Sequence, residues 1–218
     1  MMNFYLSVVS GYSLLIPGVI SIFRLNVITD TYYPFILFIF LGCLNEAVSI
    51  FLATNGFHTI INSNIYVIMA CILLIHFFKN NKLFKDRPPL YFMVLALSIT
   101  LWVLETFLMR NINEVSSYFR IYYSFLIVIL SITTINKIII SEAGELPGNS
   151  LFLICVCFIC YYTFKVLIEA FLIYGIKYSN IVLVNIYNIL TYVNLIINLL
   201  YALAIVWIPR KQISLLKL

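Results

Sequence analysis

The chain has 218 residues, of which 64% are hydrophobic and only 10% charged. A soluble domain is about 45–50% apolar and about 25% charged, so this composition excludes an ordinary soluble enzyme or binding module. The net charge of +5, from 13 Lys and Arg against 8 Asp and Glu, is read through membrane topology, and no nucleic-acid partner is expected.

Seven apolar segments follow one another, near Phe4–Phe23, Tyr33–Ala53, Asn62–Phe78, Leu90–Met109, Tyr118–Ile140, Ser150–Tyr174 and Ile181–Trp207. Each is close to the roughly 20 residues needed to cross a hydrocarbon core about 30 Å thick. Runs of this length satisfy their backbone in lipid as helices. The fold class expected is therefore all-α, a single seven-helix transmembrane domain over residues 1–218, with short connections and antiparallel neighbours. The first segment lacks a positive amino-terminal region and a small-residue cleavage site, so it reads as a retained helix rather than a signal peptide. Pro17 and Gly18 are expected to kink it. The third segment is the shortest.

The basic residues of the loops set the orientation. Lys79, Lys82, Lys85 and Arg87 fall in "KNNKLFKDR", and Arg210, Lys211 and Lys217 in "RKQISLLKL". Seven helices put Arg24 and Lys137 on the same side, against Arg110, Arg120 and Lys177 on the other. The expectation is an inner-membrane protein with its amino terminus outside and its carboxyl terminus cytoplasmic. Glu142 and Glu145 in "SEAGELPGN" do not alter this, because acidic residues contribute little to the rule.

Three carboxylates lie well inside apolar segments: Glu46, Glu105 and Glu169, in the second, fourth and sixth. At 1.5 Å per residue they sit very roughly 20–28 Å from the inner ends of their helices, all at similar depth. This suggests an internal repeat in which helices 2–3, 4–5 and 6–7 are related hairpins and helix 1 is an addition. Recurrent "NIY", "RIY" and "NIY" near the starts of helices 3, 5 and 7 fit the repeat weakly, since the chain is rich in both Ile and Tyr.

A carboxylate at membrane depth costs roughly 2.5–3.5 kcal/mol on insertion scales, and such groups face the bundle interior or water. Two readings stand side by side: a protonated Glu tying one helix to the next, or a shared ligand-binding pocket open to the outside. The pocket would be walled by Glu46, Glu105, Glu169, Asn45, Asn64, Tyr66, Arg120, Tyr122, Asn185, Tyr187 and Asn188. Lys165 stands one turn before Glu169, and the i, i+4 spacing favours an intrahelical ion pair over an anion site. Asn194 and Asn198 share the same spacing and suggest an interhelical ladder.

Sharper chemistries do not fit. In "CVCFIC" the three cysteines point in different directions on a helix and lack a fourth ligand, so no metal site is expected. The two histidines, His58 and His76, fall at opposite membrane faces, which excludes a three-histidine zinc hydrolase. The last helix has no lysine for a retinal Schiff base, and no phosphate-binding glycine loop or GxSxG elbow occurs. No cofactor is expected and no catalytic residue is assigned. Glu46, Glu105 and Glu169 have acid–base capacity, but no nucleophile accompanies them, and the balance is against an enzyme.

The chain resembles small, functionally unassigned seven-helix membrane proteins of Bacteroidota. The resemblance rests on "NEA" in helix 2, "NSNIY" opening helix 3, "YALAIVWIPRK" ending helix 7, and the low-charge, Ile/Asn/Tyr-rich style. It implies a seven-helix membrane fold and assigns no residue a role.

Three functions fit: a membrane sensor or signalling subunit with an outward polar pocket, a structural subunit of a larger complex, and a small-solute or proton-coupled transporter. A transporter needs polarity along its whole path, whereas the inner halves of helices 2, 4 and 6 carry almost no charge. The loops and the eleven residues after Trp207 are too short for a catalytic or signalling domain. A sensor would therefore act through a protein partner, at the cytoplasmic "KNNKLFKDR" loop and "RKQISLLKL" tail, beside the lipid bilayer. Those bases otherwise serve orientation and contact with anionic lipid.

Overall fold

The computed structural model describes residues 10–109, 111–141, 148–174 and 180–211, with the side chains of 141, 172, 174 and 180–187 outside that description. Seven α-helices run through the described residues: α1 (Leu15–Arg24), α2 (Tyr33–Thr54), α3 (Ile60–Asn80), α4 (Pro88–Val103), α5 (Ser117–Ser141), α6 (Ser150–Tyr174) and α7 (Asn180–Trp207). A π-helical turn, Leu104–Met109, extends α4. Helices α2 to α7 are long and apolar enough to cross a membrane, six candidate spans in all. Their ends agree with the apolar segments of the sequence to within about two residues, because the switch from apolar to polar residues is abrupt at each.

Helix α1 is the exception. A helical stretch at 10–13 forms the first turn of α1 and is interrupted at Leu14, before the regular part of the helix, Leu15–Arg24, begins. Proline has no N–H to donate to the carbonyl four residues back and crowds it sterically. For Pro17 that carbonyl belongs to Ser13, so the break falls just ahead of the proline rather than at Pro17–Gly18. Ten residues of α1 fall short of a membrane span on their own.

Polar side chains hold α1 against α7 in antiparallel fashion. Asn194 donates to Ser10 Oγ at 3.0 Å and Asn198 to Ser13 Oγ at 2.8 Å. At the far end Arg24 donates to the carbonyls of Ile205 at 2.8 Å, Ile208 at 2.9 Å and also Val206. The last carbonyls of α7 have no intrahelical donor, and a guanidinium supplies both the hydrogen bonds and the charge the helix dipole favours there. The asparagine ladder expected from the sequence is thus present, with serines of α1 as its partners. Each such bond contributes about 0.6 kcal/mol.

Arg110, Lys177 and Lys217 fall outside the description, and among the described residues the loop bases lie at one end of the bundle. There Ile28 and Arg210 form an isolated antiparallel bridge, and Lys211 Nζ meets Asp30 Oδ1 at 2.9 Å. That hydrogen bond holds the Lys211 pKa above the usual lysine value. The ammonium therefore stays charged through neutral pH and loses its proton only above the ordinary lysine range. Lys137 reaches the Lys82 carbonyl at 3.0 Å and Asp86 at 3.6 Å. These contacts bring the connections after α1, α3 and α7 to one face, as an alternating antiparallel bundle requires.

Just inside this basic end the core is aromatic. Phe158 of α6 packs edge-on against Phe35 and Phe38 of α2, Phe77 and Phe78 of α3, and Tyr201 of α7. Centroid separations of 5.9–6.2 Å are those of favourable aromatic pairs. The lipid-facing surface is apolar in the expected way, with Phe23, Phe92, Met93, Leu108 and Ile140 strongly exposed. The hairpin pairing expected from a repeat is close in α2–α3 and α6–α7 and slight between α4 and α5, where α5 instead packs most extensively on α6.

Replacing Arg24 with Ala should free the end of α1 from α7. The loss of charge-assisted hydrogen bonds is expected to cost about 1.5–3 kcal/mol. Faster amide exchange over residues 205–208, with exchange in the aromatic core unchanged, is the measurement that checks it.

Candidate functional site

The opposite half of the bundle is polar, and its polarity is arranged as two clusters. The first surrounds the start of α5. A helix leaves its first four N–H groups without intrahelical partners. Glu105, carried by the π-helical turn, accepts from the N–H of Tyr118 at 3.0 Å and of Phe119 at 2.5 Å. The wider π turn carries Glu105 and Thr106 as buried residues, only 3% and 1% exposed. Thr106 then meets Ser116 at 3.3 Å. Glu105 is a helix cap, which is the structural role weighed against the functional one.

Asn64 is the second fixture of this cluster. It is fully buried on α3. Its amide donates to the carbonyls of Ile112 at 3.1 Å and Glu114 at 2.8 Å. Its oxygen accepts from Ser116 N at 3.4 Å and Arg120 at 3.3 Å. Its own carbonyl accepts from Trp102 Nε1 at 3.2 Å. One asparagine therefore fastens α3 to α4 and to the connection ahead of α5. Tyr122 sits one turn on, against Ser98 of α4 at 3.3 Å.

Arg120 is a largely buried cation in the first turn of α5, not a loop charge. It donates to Ser63 at 2.8 Å and lies 3.7 Å from Glu169 of α6. The two side chains are 13% and 8% exposed. Glu169 thus finds its ion partner on α5, where the i, i+4 rule pointed to Lys165. Lys165 instead places its ammonium 5.7–5.9 Å from the ring centroids of Tyr123, Tyr162 and Tyr161. An ammonium over several ring faces is held by their quadrupoles where water is excluded. Tyr123 and Tyr162 close this side through a hydroxyl–hydroxyl contact.

The second cluster is a cavity of about 110 Å³ between α1, α2, α3, α6 and α7. Glu46, Asn45, Tyr66, Tyr161, Asn194 and Asn198 supply its polar wall. Phe38 and Tyr201 form its floor, and both belong to the aromatic layer beneath. Asn45 is oriented by Asn62, which donates to Asn45 Oδ1 and to Ser49 Oγ, each at 3.0 Å. Glu46 has no ion-pair or hydrogen-bond partner among the described residues.

The structure therefore divides the residues that the sequence grouped in one pocket. Glu46, Asn45 and Tyr66 line the cavity. Arg120, Glu169 and Lys165 form the buried charge cluster, and Glu105 and Asn64 fasten the start of α5. Asn185 and Tyr187 lie outside the residues whose side chains are described. Tyr161 borders both clusters, lining the cavity and placing its ring centroid 5.9 Å from the Lys165 ammonium. Tyr161, Asn62 and Tyr201 were not singled out in the sequence, since one tyrosine among 16 carries no local mark. No known protein family, curated protein or solved structure matches the chain.

The three glutamates should answer differently to substitution. Losing an anionic cap in Glu105→Ala is expected to cost roughly 0.5–2 kcal/mol. Arg120→Leu leaves Glu169 buried without its ion partner and should cost more, about 3–5 kcal/mol. The double variant Arg120→Leu/Glu169→Leu should recover part of that loss. Glu46→Gln should leave stability unchanged. Thermal unfolding of the four variants in one detergent is the check.

Proposed function

We propose that this protein is an integral membrane sensor or signalling subunit. A ligand engages the cavity around Glu46, and the resulting helix movement is read by a partner protein at the basic end. The observation that carries the reading is a carboxyl group without a partner among the described residues, in a polar cavity directly above a packed aromatic floor. A carboxylate with no structural bond to make is expensive at membrane depth, and such groups mark sites of function by default. The other two glutamates have structural partners, which concentrates the argument on Glu46.

The aromatic floor also weighs against the transporter reading. Phe158 and the five rings around it occupy the route from the cavity to the basic end. A solute path there would require the core of four helices to separate. In the proposal the basic end is cytoplasmic and the cavity lies in the outer half of an inner membrane, as the loop bases predict. Helix α1 completes a seventh span. Movement has a direct route to the basic end, because α1 lines the cavity with Gly11 and Leu14 and ends at Arg24 on the terminus of α7.

Two measurements test this. Cysteines introduced by Lys85→Cys and His58→Cys should differ toward an impermeant maleimide on intact cells, with labelling at 58 and none at 85. Purification in mild detergent should recover a second protein in constant ratio. Recovery of the chain alone, together with Glu46-dependent solute flux in liposomes, would sink the sensor reading in favour of a transporter.

A further inference from the structure

Beside the polar cavity lies a groove of about 700 Å³ between α1 and α2, mostly apolar. Its α2 wall is Cys43, Ala47, Ile50 and Thr54, a stripe at helical spacing, with Glu46 among them. Its α1 wall is Gly11, Tyr12, Leu14 and Leu15. The two helices are pinned close where a Cβ on Gly18 would come 3.2 Å from Cys43 Sγ and one on Gly42 would come 2.7 Å from Leu14 Cδ2.

Cavity and groove meet at Gly11, Leu14 and Glu46, which line both. A cavity of about 110 Å³ is too small for a drug-sized ligand, which needs roughly 300–1,000 Å³. It is large enough for a polar head. The groove supplies apolar room for a body, opening sideways among helices whose outer faces are lipid-facing. Glu46 is the one carboxyl group among the residues lining either space, with no Lys, Arg or His beside it in either lining, so when ionised it stands as the site's single negative charge. The charge complement of the site is therefore a single cation.

We propose that the cavity and groove together bind a single-chain amphiphile with a cationic amine head, taken laterally from the bilayer, its ammonium against Glu46 and its alkyl body between α1 and α2. This rests on reading the Glu46 cavity as the ligand site and specifies the ligand's class. A zwitterionic phospholipid fits poorly, since its phosphate would meet Glu46 with no cation in the wall to offset the repulsion. Tyr66 and Asn194 are placed to orient the head by hydrogen bonding from the same wall.

The test uses the full chain in phosphatidylcholine nanodiscs and an alkylamine carrying a photoreactive group on its chain. Labelling should concentrate on residues 10–24 and 43–54, be displaced by dodecylamine, and resist dodecyl sulfate. Glu46→Gln should weaken binding roughly tenfold or more, the value of one charge-assisted contact. Ala47→Trp should abolish labelling by filling the groove while the carboxylate remains. Ala47 is exposed, so both variants should fold, as thermal unfolding would verify. Labelling spread over all lipid-facing helices, undiminished labelling of Glu46→Gln, or equal displacement by the sulfate would overturn the proposal. Selective amine binding by a chain that purifies alone keeps this inference and removes the sensor reading. A constant partner without amine selectivity does the reverse.

Discussion

The first turn of α5 is the point on which the polar half of the molecule depends. Within a span of residues that must satisfy every backbone donor without water, the N–H groups of Tyr118 and Phe119 are taken by Glu105. The next residue, Arg120, carries a buried charge to Ser63 and Glu169. Asn64 completes the fixture by binding the connection before α5 and the indole of Trp102. Four helices, α3 to α6, are positioned by these few side chains. In lipid there is little hydrophobic drive to bring apolar helices together, so satisfied polar groups of this kind decide which helices are neighbours.

The same constraint explains why the three glutamates are not equivalent. Glu105 has orphan N–H groups to accept from, and Glu169 has a guanidinium. Their cost at membrane depth is offset by structure. Glu46 has neither, and it borders the cavity and the groove. The aromatic layer formed around Phe158 sets the floor of that cavity and gives the bundle its polarity along the membrane normal. Rings crossing edge to face interlock four helices at the basic end. The polar end adds a network of side-chain hydrogen bonds to its ring pairs, and it has room beside Glu46.

Helix α1 joins these halves. It is fastened to α7 at both ends of its described length, by asparagine–serine rungs and by the Arg24 guanidinium on the α7 carbonyls. It meets α2 through glycines, which permit close approach over a short stretch and leave the groove beyond it. Helix α1 packs more extensively on α7 than on α2, so a displacement that keeps it with α7 and shifts it against α2 disturbs less packing. That property is what a site between α1 and α2 would need in order to act at the basic end.

Composition and segment length alone determined the membrane environment, the helical class and the approximate ends of α2 to α7, because the bilayer imposes one length and one backbone solution on any chain. The spacing of Asn194 and Asn198 was enough to foresee a ladder, since residues four apart always share a helix face. The depth of the three glutamates was legible too, and they do lie in the polar half. Their partners were not. Lys165 is nearest to Glu169 in the chain, but Arg120, 49 residues away in sequence, takes the ion pair because α5 packs most closely on α6. Periodicity gives the face of a helix and says nothing of which helix that face will meet. The tertiary packing decided that Glu105 caps a helix start, that Arg120 is an interior charge, and that Glu46 alone is left with space beside it.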